Sequence, residues 1–368
     1  MVKASIIVLC FNGLEEVTRP CVDSIYRNTR IDDFELVIVD NASSDGTADY
    51  LCQIEKSYPN VKIQLNEINK GYAGGNNDGL RLAQGKYLVL LNNDTLVPPG
   101  WLDSLLFLLE TDNTIGMVGP VTNSAGNEQR IELPELNEGN FQDIASKYTD
   151  QQKDIWFTTD KLGFFCVAMR SDLPRQLGYL DEAFGIGMFE DDDYGMRVLA
   201  NGYKLAVTEG CFVYHKGSVS FKKLSNDHYR ALFEKNRGIY FEKHHILWTY
   251  SDIAKALWKK IRGDILLCND LSNNLSVAAL ARVRVRVNDL NNIIYQLHEL
   301  EAGYATIQGK PFNELALSEK NKQLMEISEW ASKLNQQMLE TSDWAVTLRN
   351  ELDQIKQSKW FALYRFFH

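Results

Sequence analysis

The chain has 368 residues, more than one core usually organises, so a catalytic-sized unit with a smaller appendage is expected. A formal net charge of −10 argues against a nucleic-acid backbone as the main partner, because such binding depends on Lys and Arg neutralising phosphates. The six cysteines are scattered without a Cys-x-x-Cys pair and read as free thiols in a reducing compartment.

Met1 leads directly into Val2–Leu9, a run too short and too β-branched for a signal peptide, and no later run approaches membrane-spanning length. A cytoplasmic chain is expected, with peripheral contact at the inner face of the cytoplasmic membrane left open. Strand-like and helical runs then alternate. SIIVLC precedes a helix from Leu14, FELVIVD one from Asp45, VKIQLN one from Tyr72, and KYLVLLN one from Gly100. This alternation predicts an α/β fold with a mostly parallel central sheet and crossover helices on both faces. In such open sheets, ligands lie beyond the carboxyl ends of the strands. The polar residues fall there: Asn12 after the first strand, Asp40 and Asn41 after the second, Asn66 to Asn77 after the third, and Asn92, Asn93 and Asp94 after the fourth.

Between Asn123 and Asp160 the apolar rhythm weakens, and an irregular excursion is expected. Regular structure resumes at GFFCVAMR (Gly163–Arg170), a helix opens near Glu190, and a strand covers Lys204–Val207. The catalytic unit is expected to span 1–245, followed by a linker at 246–269 and a helical region at 270–368. Ile246–Arg262 reads as an amphipathic basic helix, docked on the core or lying on a membrane surface. Leu280–Leu297 and Leu324–Ile355 step by three and four as coiled-coil heptads, interrupted at Gly309-Lys310-Pro311. An intramolecular hairpin and an assembly with other chains both fit. The tail SKWFALYRFFH has the aromatic-basic composition of a bilayer interface or an apolar partner groove.

Four stretches carry chemistry. In LNNDT (Leu91–Thr95), an acid at the end of a buried strand is suited to holding a hard divalent cation against phosphate oxygens; a helix N-cap or Asx-turn is the structural alternative. In VDNASSDGT (Val39–Thr47), Asp40 could accept from a base N–H or a ribose hydroxyl, while Asp45 caps the next helix. NKGYAGGNNDG (Asn69–Gly79) places Gly71, Gly74 and Gly75 where backbone could approach a ligand, or where a turn needs them. FEDDDYGMR (Phe189–Arg197) lines up four acids, which a folded chain tolerates with solvent, with cations, or with a role that uses a raised carboxyl pKa. One could serve as a general base while another pairs with Arg197, four residues after Asp193. A solvated acidic helix start is the alternative, and the apolar lead-in Phe184–Phe189 fits it badly.

Taken together and in order, SIIVLCFN, VDNASSDGT, NKGYAGGNN, YLVLLNNDT, GFFCVAMR, FEDDDYGMR and VYHKG resemble the family 2 inverting glycosyltransferases of the GT-A fold, over roughly residues 1 to 245. They look like the bacterial polysaccharide and O-antigen members that transfer rhamnose or galactofuranose. The resemblance implies a nucleotide-diphosphate sugar donor (dTDP-rhamnose, or a UDP-sugar such as UDP-galactofuranose), a glycan or lipid-linked glycan hydroxyl as acceptor, and Mg²⁺ or Mn²⁺. It implies Asp191 as the catalytic base and Asp40 as the contact to the donor's base. It also implies Asp94 as the surviving acid of a DxD-type motif whose first position holds Asn92, and His215 as a completing metal ligand. Asn12, Asn41, Gly71, Asn77, Asn92, Asn93 and Glu190 are then expected around the donor. The helical C-terminal region is expected to join copies of the chain or a partner glycosyltransferase. An NDP-sugar nucleotidyltransferase would need a Gly-rich loop with Arg and Lys where Cys10-Phe11-Asn12-Gly13 stands. A non-enzymatic coiled-coil scaffold is the alternative from another class.

Overall fold

The computed structural model describes residues 2–133, 135–217 and 226–245, with Arg282, Val285, Arg286 and Asp289 beyond them. Apart from those four positions, the expectations for the basic helix, the heptads and the aromatic tail lie outside the described residues. The chain divides into two units, Met1–Trp248 with Leu267–Arg282, and Thr249–Leu266 with Val283–His368. Every element named below belongs to the first.

In chain order the strands are β1 (Ala4–Cys10), β2 (Phe34–Asp40), β3 (Val61–Leu65), β4 (Tyr87–Asn92), β5 (Thr95–Leu96), β6 (Ile115–Val121), β7 (Trp156–Thr159), β8 (Cys166–Arg170), β9 (Lys204–Phe212) and β10 (Tyr214–His215). The helices are α1 (Arg19–Asn28), α2 (Thr47–Ser57), α3 (Gly71–Leu82), α4 (Trp101–Thr111), α5 (Phe141–Gln152), α6 (Leu173–Leu177), α7 (Glu190–Ala200) and α8 (Asn226–His244). Eight strands form one sheet in the order β3-β2-β1-β4-β8-β6-β9-β7, and β5 and β10 form a separate ribbon. β1 runs parallel to β2 and β4, β2 to β3, and β6 to β9, while β8 and β7 run antiparallel to their neighbours.

The strands are apolar on both faces because helices cover both. Ile6, Val8, Leu36, Ile38, Val89 and Leu91 pack with α1, α2 and α4, whereas the alternate residues Ile7, Val37, Leu88 and Leu90 pack with α3, α5 and α7. Side chains alternate across a strand, so one continuous run of Val, Ile and Leu feeds two cores. Each fully buried side chain of this kind contributes about 1.5–3 kcal/mol. Helix α3 can lie flat on the sheet because it is glycine-rich: a Cβ at Gly75 or Gly79 would overlap Leu9 or Ile7 of β1. Among the described residues, no helix is long and apolar enough to cross a membrane.

Two expectations need correction. The stretch from Asn123 to Asp160 is not irregular throughout, since it contains α5 and β7. The buried face of α5 is Phe141, Ala145, Tyr148 and Gln152, correctly spaced for a helix but too polar to stand out. The strand expected at Lys204–Val207 continues to Phe212, because it pairs with β6 on one side and β7 on the other. The five described cysteines are free, four of them buried.

Candidate active site

Because β1, β2, β3 and β4 are parallel, their carboxyl ends meet at one edge, and β6 and β9 end there too. Just past β4, the short β5–β10 ribbon sets His215 opposite Thr95. This brings His215 Nε2 to 3.3 Å from Asp94 Oδ1. The imidazole is held from three sides. Its Nδ1 lies 2.7 Å from the carbonyl of Ser124, the Phe165 ring stacks on it at 5.2 Å, and Asn123 brackets its backbone with two 2.9 Å bonds. With Nδ1 donating to a carbonyl, a neutral ring presents the Nε2 lone pair to the carboxylate. Two acceptors then face each other across a gap that a divalent cation, at about 2.1 Å from each, would span. The pair therefore fits a metal. No larger metal-type cluster of His, Cys, Asp and Glu occurs among the described residues. Two protein ligands suit a cation that takes its remaining oxygens from water and phosphate. Asn92 closes β4 beside this pair, and Asn93 Nδ2 donates to Thr18 Oγ1 at 2.9 Å.

At the end of β2, Asp40 is 2% exposed; its Oδ2 accepts the Ser43 N–H at 3.2 Å, and its Oδ1 is buried without a partner. A buried, unpaired carboxylate oxygen is costly unless a ligand supplies the donor. Asn12, left-handed at φ 54°, accepts the Ser44 N–H at 2.8 Å, while its own N–H donates to Ser43 Oγ at 2.7 Å, so it shapes the loop facing Asp40. Asp45 Oδ1 accepts from the Thr47 hydroxyl at 2.6 Å at the start of α2.

Three residues expected around the donor make contacts within the protein. The Asn41 amide donates to Asn69 Oδ1 and the Gly71 carbonyl, and its Oδ1 accepts from Asn66 and the Lys70 N–H, which joins β2 to the loop before α3. Asn77 donates to the Leu180 carbonyl and Glu182 and accepts the Leu180 N–H, pinning the 180–182 loop. Gly71 (φ 73°) faces the backbone of Gly185, where a Cβ would overlap the Gly185 carbonyl.

The four acids opening α7 have four different fates. Glu190 is buried with Oε2 unpartnered, and burial, followed by repulsion from Asp191, pushes its pKa well above the usual carboxyl range. Asp191 is pushed up to about 7 by burial and by the charge of Asp192, with Lys161 opposing. Asp192 pairs with Lys161 at 3.0 Å. Asp193 is completely buried against Arg197 at 2.8 Å, Lys243 at 2.7 Å and His244 at 2.8 Å. The expected Asp193–Arg197 pair is therefore present, inside a larger hub. Burial, and then the charges of Glu190, Asp191 and Asp94, raise the pKa of the Tyr72 phenol, which donates to the Phe164 carbonyl at 2.7 Å. The acidic start of α7 and the end of β4 thus gather around one tyrosine. Sequence reasoning missed Tyr72 and Lys161: the first stands inside the quoted NKGYAGG, where only the glycines drew attention, and the second lies in a stretch without rhythm.

Residues 5–175 match the family described as Glycosyl transferase family 2. Over those residues, less than half of its length, the chain is similar to the family 2 glycosyltransferases. The match includes Asp40 and Asp94 and ends before Asp191 and His215. Over 97 residues the chain is 32% identical to the poly(ribitol-phosphate) beta-glucosyltransferase of Bacillus spizizenii, covering 26% of this chain and 15% of that protein. Over 238 residues it is 26% identical to the chondroitin synthase of Pasteurella multocida, covering 58% of this chain and 24% of that protein. The chain therefore spans less than a quarter of the length of either relative. Among solved structures, GalNAc-T7 with UDP, GalNAc and Mn²⁺ is similar at a TM-score of 0.48 and 17% identity, over 58% of this chain and 44% of that one.

Proposed function

We propose that the chain is a metal-dependent inverting glycosyltransferase that moves a sugar from a nucleotide-diphosphate sugar to an acceptor hydroxyl. One observation carries the reading: the parallel edge that holds the Asp94–His215 pair also receives a carboxyl, Asp191, pushed up to about 7. A group that titrates there takes up a proton readily and is still partly ionised at neutral pH.

In this reading Asp40 Oδ1 accepts from the donor's base or ribose, which supplies the partner it lacks. Asp94 and His215 hold Mg²⁺ or Mn²⁺, whose charge offsets that of the leaving diphosphate. Asn92 and Asn93, next to Asp94 in the chain, are the further donor contacts of this reading. Asp191 removes the acceptor proton as the hydroxyl attacks the anomeric carbon from the face opposite the diphosphate, and that single displacement inverts the centre. Burial, and then the charge of Asp191, raise the pKa of Glu190 well above the usual carboxyl range, which favours its neutral form beside Asp191. No enzyme nucleophile is needed.

The names of the relatives, a poly(ribitol-phosphate) glucosyltransferase and a chondroitin synthase, favour a glycan or other polymer hydroxyl as acceptor. dTDP-rhamnose and UDP-galactofuranose are the donors to try first. The heptads and aromatic tail, outside the described residues, carry the further proposal that the chain assembles with itself or a partner and rests on a membrane near a lipid-linked acceptor. Light scattering and liposome sedimentation of the full chain test that part. Thermal stabilisation by a panel of UDP-, dTDP- and GDP-sugars with Mn²⁺ tests the donor, because binding to the folded state raises Tm by mass action. At least one sugar nucleotide is expected to raise Tm, and none doing so would remove the proposal.

A further inference from the structure

Helix α8 turns one face onto the segment that leads into α7. Phe233, Asn236, Tyr240 and His244 recur at spacings of three and four, which place them on a single helix face. The rings of Phe233 and Tyr240 pack on Phe189 at 5.3 and 5.6 Å. Asn236, completely buried, donates to the carbonyls of Phe184 at 2.9 Å, Gly187 at 2.8 Å and Met188 at 3.1 Å. At the end of the helix, His244 meets Asp193, and Lys243 bridges Asp193 and Asp181, each at 2.7 Å.

The segment so gripped is strained. Gly185 and Gly187 have φ of 67° and 148°, and they are followed by two consecutive non-glycine residues with positive φ, Met188 at 79° and Phe189 at 73°. Such residues stay left-handed only where the surroundings over-determine them. The next two residues are Glu190 and Asp191.

We infer that Asn236 is a positioning residue for Asp191: by binding three carbonyls of the left-handed turn, it sets the angle at which α7 leaves that turn and so aims the first-turn carboxyls. The inference rests on the reading of Asp191 as the general base. The side-chain chemistry specifies an amide. Its two N–H groups serve three acceptors, while its own Oδ1 is buried without a partner, so the donors are what the site uses. A carboxylate would offer only acceptors, and a leucine of similar size would leave the three carbonyls without this donor. On the opposite side, the α3 backbone adds one longer bond, from the Tyr72 N–H to the Ile186 carbonyl at 3.3 Å.

The test uses the full chain with Asn236→Leu and the milder Asn236→Ser. Amide exchange over residues 184–193 is expected to accelerate while β1 and β2 stay protected. Donor affinity by calorimetry is expected to hold within about two-fold, and kcat to fall about 10- to 100-fold, as a displaced reacting group requires. The acidic limb of the pH profile is expected to move to lower pH as water reaches the Asp191 carboxyl. A kcat near wild type despite faster local exchange would overturn the inference, and so would a loss that merely follows global unfolding. Should both variants fail to fold, Phe233→Leu loosens the same face and carries the same expectations. If the wild-type chain neither binds nor transfers any sugar nucleotide, the general-base reading fails separately; the exchange experiment still decides the clamp, and unchanged exchange at 184–193 would sink it.

Discussion

His215 Nε2 stands 3.3 Å from Asp94 Oδ1 because a two-residue ribbon, β5 with β10, fastens two distant parts of the chain at the end of β4. The ring cannot easily turn away: Nδ1 is bound to the Ser124 carbonyl and Phe165 stacks on its face. If the ring is neutral, its Nε2 lone pair and the carboxylate would offer a hard cation two ligands at this separation.

Donor binding is accordingly expected to need a divalent cation. Calorimetry with Mn²⁺ and with EDTA measures it directly, and Asp94→Ala and His215→Ala should each weaken metal-dependent binding by about 10-fold or more. Equal donor affinity in Mn²⁺ and EDTA would show that the pair serves as an ordinary ion pair and that the diphosphate is neutralised another way.

Asp191→Asn is expected to lower kcat by about 10²-fold or more while leaving donor affinity nearly intact. The pH dependence follows from the raised pKa. A base works ionised, so wild-type kcat should rise with pH through about 7 and be lost below it. Stability moves the other way. A carboxyl raised from 3.8 to about 7 on folding favours the folded state most below 3.8, and that contribution is lost as pH rises through 7. The Asn variant should therefore gain Tm over wild type above pH 7 and lose the advantage near pH 4, by roughly 2–4 °C for each kcal/mol. Near-wild-type turnover in the variant would move the base to Glu190.

Lys161→Met removes the cation that holds Asp191 down and that pairs with Asp192 at 3.0 Å. The rising limb of the pH–kcat profile should shift to higher pH by about half a unit to one unit, with activity recovered in alkali. An unshifted limb would mean that Lys161 only anchors its own loop.

Gly71→Ala should cost about 2–4 kcal/mol, since the position combines a φ of 73° with a Cβ that would overlap the Gly185 carbonyl. Urea unfolding measures it. A loss below about 0.5 kcal/mol would show that the loop from Gly185 to Ile186 yields freely, against the close packing described above.

The parallel half of the fold was legible because each buried strand ends abruptly in polar residues, as at Leu91-Asn92 and Val39-Asp40. The same polarity leaves the partners of Asn41 and Asn77 undetermined. An amide at a strand end or on a helix looks alike whether it meets a ligand or ties two loops together, and only the partners distinguish them. Helix α5 was hidden by a face that includes Tyr148 and Gln152. His215 had no local signal beyond the resemblance, because a two-residue strand pairing is too short to leave a pattern. Asn236 was invisible for the same kind of reason: its three acceptors lie 48 to 52 residues earlier in the chain, across a fold that had first to be formed.

The most direct test of the account is the anomeric configuration of the sugar at the moment of transfer. Purified chain with Mn²⁺ and the donor that most raises Tm is mixed with acceptor glycans, or with water alone for slow hydrolysis, and the first-formed product is read by proton NMR before it equilibrates. Release of a nucleoside diphosphate with inversion at the anomeric carbon, abolished in Asp191→Asn, is the predicted result. A product that retains the donor's configuration would contradict the single displacement, and with it the role assigned to Asp191.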